Sequence, residues 1–200
     1  KYHETGIFDP KEIYPYTTEG IGEDILPKNV NFSVIDHFEK VLDIKPDFAE
    51  AHNNLGVALK DIGQVNEAVE SYNKALKINP NYAQALNNLG NALRDLGKFE
   101  DAKEAYERAL RINADYPTLH NNLGNVLREL GRLEEAIESY QTAISLNEDN
   151  PDSFNNLGVV FFTLGDLDSA IRAYKKAIII NPNFDNAHNN LGAAYKKIGE

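Results

Sequence analysis

Asparagine supplies most of the side chains in this chain that could bind something. Five Asn-Asn pairs occur, at Asn53-Asn54, Asn87-Asn88, Asn121-Asn122, Asn155-Asn156 and Asn189-Asn190. A carboxamide both donates and accepts hydrogen bonds, so a row of them can hold the N–H and C=O groups of a peptide backbone without reading much sequence. Asparagine is a middling helix former, and ten copies at two positions need a reason beyond propensity. The structural alternative is that some of these amides only tie one unit of the chain to the next. Three histidines, His52, His120 and His188, also share a sequence context. Zinc would need ligands that converge within a few ångströms. Histidines so far apart along an extended array do not converge, so packing is expected of them and no metal.

Other chemistries find no support. The chain has no cysteine, which excludes disulfides, thiol nucleophiles and cysteine metal sites. No nucleophile, base and orienting group cluster by motif, and the glycines occur singly instead of forming a phosphate-binding run. The chain is therefore expected to be no enzyme and to carry no cofactor. Its formal net charge of −11 over 200 residues argues against a phosphate-backbone binder, which needs a basic face. No apolar run approaches the ~20 residues that span a bilayer, and the N-terminus lacks the apolar core of a signal peptide. Nucleic acid and membrane insertion are accordingly not expected. The compartment stays undecided, with the cytoplasm as the default. Position 1 is Lys, and no Met occurs anywhere, which points to a piece of something longer.

The elements that must position the asparagines follow from a strict period. Asn-Asn-Leu-Gly begins at 53, 87, 121, 155 and 189, a step of 34 that never slips. The same step links Ala68, Ala102, Ala136 and Ala170, then Tyr72, Tyr106, Tyr140 and Tyr174, then Ala75, Ala109, Ala143 and Ala177. A fixed period in this range marks a solenoid of stacked units. Helical spacing predicts first helices near 48–61, 82–95, 116–129, 150–163 and 184–197, and second helices near 66–78, 100–112, 134–146 and 168–180. Gly63, Gly97, Gly131 and Gly165 mark the ends of first helices. Asn66, Asp101 and Asp168 suit second-helix starts. Gly56 and its four equivalents lie inside helices, which costs ~1 kcal/mol against Ala; a tyrosine ring such as that of Tyr72 is expected to pack over the bare backbone.

These residues resemble the tetratricopeptide repeat family, with its Leu-Gly in a first helix and Ala, aromatic and Ala in a second. The resemblance covers roughly 34–200 and implies an all-α, right-handed superhelical solenoid of antiparallel helix pairs. The repeats would run 46–79, 80–113, 114–147 and 148–181, preceded by a lone second helix at 34–45 and followed by a further first helix in 182–200. Ser33 is the expected N-cap of the lone helix, whose Val34, Ile35, Phe38, Val41, Leu42 and Ile44 follow helical spacing.

In that family first helices line a concave groove. The positions carried over here are Asn54, Asn88, Asn122, Asn156 and Asn190 in one row, Asn91 and Asn125 one turn on, and Lys60, Arg94 and Arg128 in the last row. The Asn53 row lies beside the first. The pattern is closest in style to the asparagine ladder of O-linked N-acetylglucosamine transferase. A chaperone-tail clamp is not expected, because the family's groove Lys is Asn53 or Asn87 here and only Asn91 and Asn125 match.

Residues 1–33 do not fit the repeat. They hold Pro10, Pro15 and Pro27 with Gly6, Gly20 and Gly22 and read as irregular chain. The stretch Tyr16-Thr17-Thr18-Glu19-Gly20-Ile21-Gly22-Glu23-Asp24-Ile25-Leu26-Pro27 resembles a loop of the cystathionine β-synthase and cysteine synthase enzymes, near their pyridoxal phosphate, and the likeness runs from about 1 to 41. The Schiff-base lysine and the phosphate loop of that family have no counterpart, and pyridoxal chemistry needs both. An orphaned, non-catalytic remnant is expected, arising from a gene fusion, a recombinant joining or a misassembled frame.

The expected function is a protein–protein interaction scaffold that binds an extended peptide in the groove. The alternative is the substrate-presenting repeat region of a larger glycosyl- or other group transferase. Self-association is expected through the open C-terminal repeat, where Leu191, Ala194, Tyr195 or Ile198 would turn outward.

Overall fold

The computed structural model describes residues 32–199, with side chains from Val34 on. The expectations for residues 1–31, including the irregular segment and the pyridoxal-type loop, lie outside the described residues. Ten helices and no strands occur among the described residues. They are α1 (Phe32–Ile44), α2 (Ala49–Asp61), α3 (Val65–Ile78), α4 (Ala83–Asp95), α5 (Phe99–Ile112), α6 (Pro117–Glu129), α7 (Leu133–Leu146), α8 (Pro151–Leu164), α9 (Leu167–Ile180) and α10 (Asp185–Ile198).

The first helices α2, α4, α6 and α8 pack chiefly on the second helix of their own repeat and less extensively on the second helix before, whereas α10 packs chiefly on α9. Successive first helices α2, α4, α6, α8 and α10 also touch one another directly. The chain is thus a linear stack, in which every repeat meets only its neighbours. Its core is a column of small residues and rings. Ala68, Ala75, Ala102, Ala109, Ala136, Ala143, Ala170 and Ala177 are fully buried. Small side chains let the helices approach, and Tyr72, Tyr106, Tyr140 and Tyr174 fill the space that remains, each almost wholly buried.

The expected lid over the helical glycines is present. A Cβ built on Gly56, Gly90, Gly124 or Gly158 would lie 2.5–2.7 Å from Cε1 of Tyr72, Tyr106, Tyr140 or Tyr174 respectively. Gly192, in α10, has nothing within 4 Å. The first helices end where expected. Gly97 has φ +72°, a left-handed conformation that suits glycine. Its N–H donates to the Arg94 carbonyl, and the Lys98 N–H to the Leu93 carbonyl, both at 2.9 Å. This paired closure of the last turn repeats at Gly63 and Gly131.

Several details differ from the sequence reading. The helix of the lone unit already includes Phe32 and Ser33, so Ser33 stands inside it and is not its cap. Ile44 is 85% exposed, since it falls on the side of α1 away from α2, and only Ile35 and Phe38 of that helix are fully packed. Asp101 and Asp168 lie in first turns, but the capping side chain of α9 is Asp166, whose Oδ1 accepts from Ser169 N at 3.0 Å. Asn66 makes no cap, because Gln64 holds that position and offers no side-chain bond. In α10, Ala194 is buried against α9 and does not face outward, whereas Leu191 and Tyr195 are half-buried and Ile198 is exposed.

The buried tyrosines make an alkaline prediction. Burial pushes the phenols of Tyr72, Tyr106 and Tyr140 far above their ordinary range, with Asp61 and Asp95 adding to the effect at Tyr72. Burial raises that of Tyr174 to about 12. An unfolded tyrosine ionises near pH ~10. A folded value raised above this contributes stability that is complete below pH ~10 and is lost as pH rises toward the folded value. Loss of helix should therefore coincide, above pH ~10, with the last part of the rise in phenolate absorbance near 295 nm, that of the four core tyrosines among the ten in the chain. Tyrosine ionisation that runs to completion while the helices persist would contradict the burial.

The candidate groove face

The Asn-Asn pairs sit in the middle of the first helices, and neighbouring repeats place them against one another. Asn88 Nδ2 donates to Asn53 Oδ1 at 3.0 Å, Asn122 Nδ2 to Asn87 Oδ1 at 3.2 Å, Asn156 Nδ2 to Asn121 Oδ1 at 3.3 Å, and Asn190 Nδ2 to Asn155 Oδ1 at 2.9 Å. In the last four of the five pairs the second asparagine thus reaches back to the first asparagine of the preceding repeat. Asn53 is fully buried, and Asn88 and Asn155 nearly so. Asn54 accepts from Asn53 Nδ2 at 3.2 Å. A polar ladder therefore runs through the stack along the first helices, between repeats. A buried amide needs such partners, since leaving one unmade costs ~1–3 kcal/mol.

Asn91 and Asn125 lie one turn further along and are held differently. Asn91 Oδ1 accepts from Tyr106 Oη at 2.7 Å and from Asn122 Nδ2 at 3.4 Å. Asn125 Oδ1 accepts from Tyr140 Oη at 2.8 Å and from Asn156 Nδ2 at 3.2 Å. Both side chains remain half-exposed. Their oxygens are occupied, while their Nδ2 groups meet no acceptor among the described residues. The corresponding positions over Tyr72 and Tyr174 are Val57 and Val159, which offer no acceptor.

The last row is charged and already paired. Lys60 Nζ lies 3.0 Å from Asp95 Oδ2, Arg94 Nη2 3.2 Å from Asp95 Oδ1, and Arg128 Nη2 2.8 Å from Glu129 Oε1. Such half-exposed pairs are worth ~0–1 kcal/mol each. They leave this part of the face close to neutral. Partial burial raises the Asp61 carboxyl above its usual range, although Lys60 beside it pulls the other way. Toward the C-terminal end the row continues with Phe162, with Lys197 Nζ 4.6 Å from its ring centroid, and with the exposed Lys196.

The histidines bind the loops before the first helices. His52 Nε2 lies 2.8 Å from the Pro46 carbonyl, His120 Nε2 2.8 Å from that of Ala114, and His188 Nε2 2.8 Å from that of Pro182. Imidazole donates to a carbonyl in that geometry, so these side chains fasten the inter-repeat turn. Among the described residues no group of three or more potential metal ligands exists, and no helix is long and apolar enough to cross a membrane.

Two features escaped the sequence reading. Asn79, Asn113, Asn147 and Asn181 keep the same 34-residue step at second-helix ends. Of these, Asn79, Asn147 and Asn181 accept from the backbone N–H two residues on at 3.1–3.2 Å; their period was the available signal. The second is the hydroxyl of the core tyrosines. A ring buried for its volume still has a polar end that seeks a partner, and the step from Tyr106 to Asn91 could have suggested it.

Comparison with known proteins agrees with this architecture. Family models described as tetratricopeptide repeat match residues 47–115 and 105–138, and one described as TPR repeat matches 124–165 and 160–199. A crystal structure of MamA is 30% identical, with a TM-score of 0.71, and the match covers 74% of this chain and 86% of that one. YrrB, described as a TPR protein with an unusual peptide-binding site, is 26% identical over 82% of this chain and 84% of its own, at a TM-score of 0.69. TTC0263, a thermophilic TPR protein of Thermus thermophilus, is 26% identical over 81% and 89%, at a TM-score of 0.66. No curated protein matches by sequence.

Proposed function

We propose, from the premise that this chain belongs to the tetratricopeptide repeat family, that it is a non-enzymatic module whose first-helix face holds an extended peptide of a partner protein. A protein-interaction scaffold is what the family and its structural neighbours support in general. The observation that favours the finer reading is the pair of half-exposed amides Asn91 and Asn125, whose N–H groups no described side chain or backbone group takes up. Polar groups left with unspent donors on a rigid face are suited to ligand contact. YrrB, with a described peptide-binding site, has the same fold.

The ten residues of the groove then divide their roles. Asn91 and Asn125 donate to the ligand. Asn88 and Asn190 serve the ladder with one Nδ2 contact each, Asn122 and Asn156 with two, and Asn54 through its oxygen; these five add ligand contacts only with what that leaves. Lys60, Arg94 and Arg128 set a near-neutral rim, because Lys60 and Arg94 share Asp95, Asp61 lies beside Lys60, and Arg128 pairs with Glu129. Val57 adds an apolar side chain at one end of the face, and Val159 and Phe162 do so at the other, beside Lys196 and Lys197. Self-association through Leu191, Tyr195 and Ile198 of α10 belongs to the same proposal.

The test is a titration against a library of end-capped twelve-residue peptides. Replacing both Asn91 and Asn125 with Ala should weaken the best peptides about ten- to a hundredfold, at ~0.5–1.5 kcal/mol per lost bond. Replacing Arg94 and Arg128 with Ala should cost less than about threefold at ~0.15 M salt, where exposed charges are screened. Sedimentation of the free chain reports pairing through α10 in the same series. If the asparagine variant keeps its circular dichroism and binds as before, the ligand does not sit on this face.

A further inference from the structure

The donors proposed above are not free to turn. Resting on that reading of the face, we infer that Tyr106 and Tyr140 are positioning residues for recognition, and that the ligand they select is an acceptor-rich, proline-containing segment. Each hydroxyl lies 2.7–2.8 Å from the oxygen of a groove amide. The ring below it is wholly buried. The oxygen also accepts from an asparagine of the next repeat. With its oxygen held twice, the carboxamide presents only its N–H2 group. Asn91 and Asn125 are therefore donors alone, although the free side chain could do both. Tyr72 and Tyr174 share the fold position but have Val57 and Val159 in place of an amide, so the device is confined to the two central repeats.

A donor-only pair suits a backbone that carries carbonyls and lacks N–H groups, which is what proline provides. The spacing agrees. First helices of successive repeats touch one another, and packed helices lie about 8–10 Å apart. Polyproline II has three residues per turn at about 3.1 Å each, so carbonyls three residues apart point the same way at a separation of about 9 Å. One carbonyl can meet Asn91 and another Asn125. The apolar side chains Val57, Val159 and Phe162 toward the ends of the face match proline rings, and the carboxylates beside Lys60, Arg94 and Arg128 leave its central rim with no demand for charge on the ligand.

The probe is end-capped (Ala-Pro-Pro)4, with end-capped (Gly-Ser)6 as the flexible peptide of equal length. The full chain should bind the first at least tenfold tighter. Tyr106→Phe and Tyr140→Phe should each weaken it about three- to tenfold, the equivalent of one hydrogen bond. Tyr72→Phe and Tyr174→Phe should leave it within twofold. Nitrogen-15 spectra of the side-chain amides give a readout that packing alone would not move. The Asn91 signal should shift in Tyr106→Phe and the Asn125 signal in Tyr140→Phe, with the other not moving in either. The pair Asn91→Asp and Asn125→Asp keeps an acceptor for each hydroxyl and removes the donors, so it should abolish binding even if a phenylalanine variant folds poorly. Equal losses from all four Tyr→Phe changes, or none from Tyr106→Phe and Tyr140→Phe while Asn91→Ala and Asn125→Ala do weaken binding, would overturn the positioning role and leave the groove standing. Binding unchanged by the asparagine changes would remove the groove itself. Preference for (Gly-Ser)6 would overturn the ligand class.

Discussion

Gly90→Ala should lower the stability of this chain by ~1–3 kcal/mol, even though alanine is the better helix former by ~1 kcal/mol. The new Cβ would lie 2.6 Å from Tyr106 Cε1 and 2.8 Å from both Cδ1 and Cζ. These are atoms in the body of the ring, which is fully buried among helices. The ring cannot swing aside as an exposed side chain could, so the helices α4 and α5 must move apart. Overpacking of this kind costs more than propensity returns. Tyr106→Phe would not relieve it, because the hydroxyl is not what the methyl meets. Gly192→Ala tests the same reasoning with the opposite sign. Nothing lies within 4 Å of a Cβ there, so only the propensity gain remains, and stability should rise by up to ~1 kcal/mol. Thermal melts check both. A kilocalorie moves the midpoint by about 2–4 °C in a chain of this size, so the two alanines should shift it in opposite directions. Two shifts of the same sign would show that the ring does not set the need for glycine.

The Gly–Tyr contact was legible from sequence because both residues keep the repeat period and because a helical glycine carries a cost that demands a neighbour. The fold was legible for the same reason: helix limits read from the 34-residue step differ from those observed by one or two residues. Inter-repeat hydrogen bonding was less legible. A period reports that Asn53 and Asn88 each recur, but their contact joins two different positions of the period, one residue apart in register. Nothing in the one-dimensional pattern distinguishes an amide that faces a ligand from one that faces the next repeat. Charge pairing was hidden similarly. Lys60 and Asp95 meet across repeats at 3.0 Å, and only packing of α2 beside α4 brings them together. The exposed Ile44 shows the remaining gap, since helical spacing marks an apolar residue without saying whether a neighbouring helix reaches it.

Replacing Asn88, Asn122 and Asn156 together with Ala should weaken the stack before it weakens any binding. Helix propensity alone predicts a gain, because alanine outranks asparagine by several tenths of a kilocalorie per site, on a scale where ordinary residues span ~0.7 kcal/mol. The ladder predicts a loss. Each substitution removes the donor to an asparagine oxygen in the preceding repeat. At Asn88 the orphaned acceptor is Asn53, which is fully buried, and a buried polar group without its partner costs ~1–3 kcal/mol. Asn87 and Asn121 are half-exposed, so water can replace part of what they lose. The single Asn88→Ala change should therefore be the most damaging of the three. Asn53→Leu combined with Asn88→Ala should recover part of that loss, since removing both polar partners leaves neither orphaned. In a stack whose repeats meet only their neighbours, a weakened interface also uncouples the two sides. Hydrogen exchange should then show residues 49–78 opening more readily than 117–180 in Asn88→Ala, while the wild type protects them more evenly. If the triple variant instead melts at or above the wild-type temperature and loses peptide affinity, the asparagines serve the ligand and the bonds between repeats contribute little.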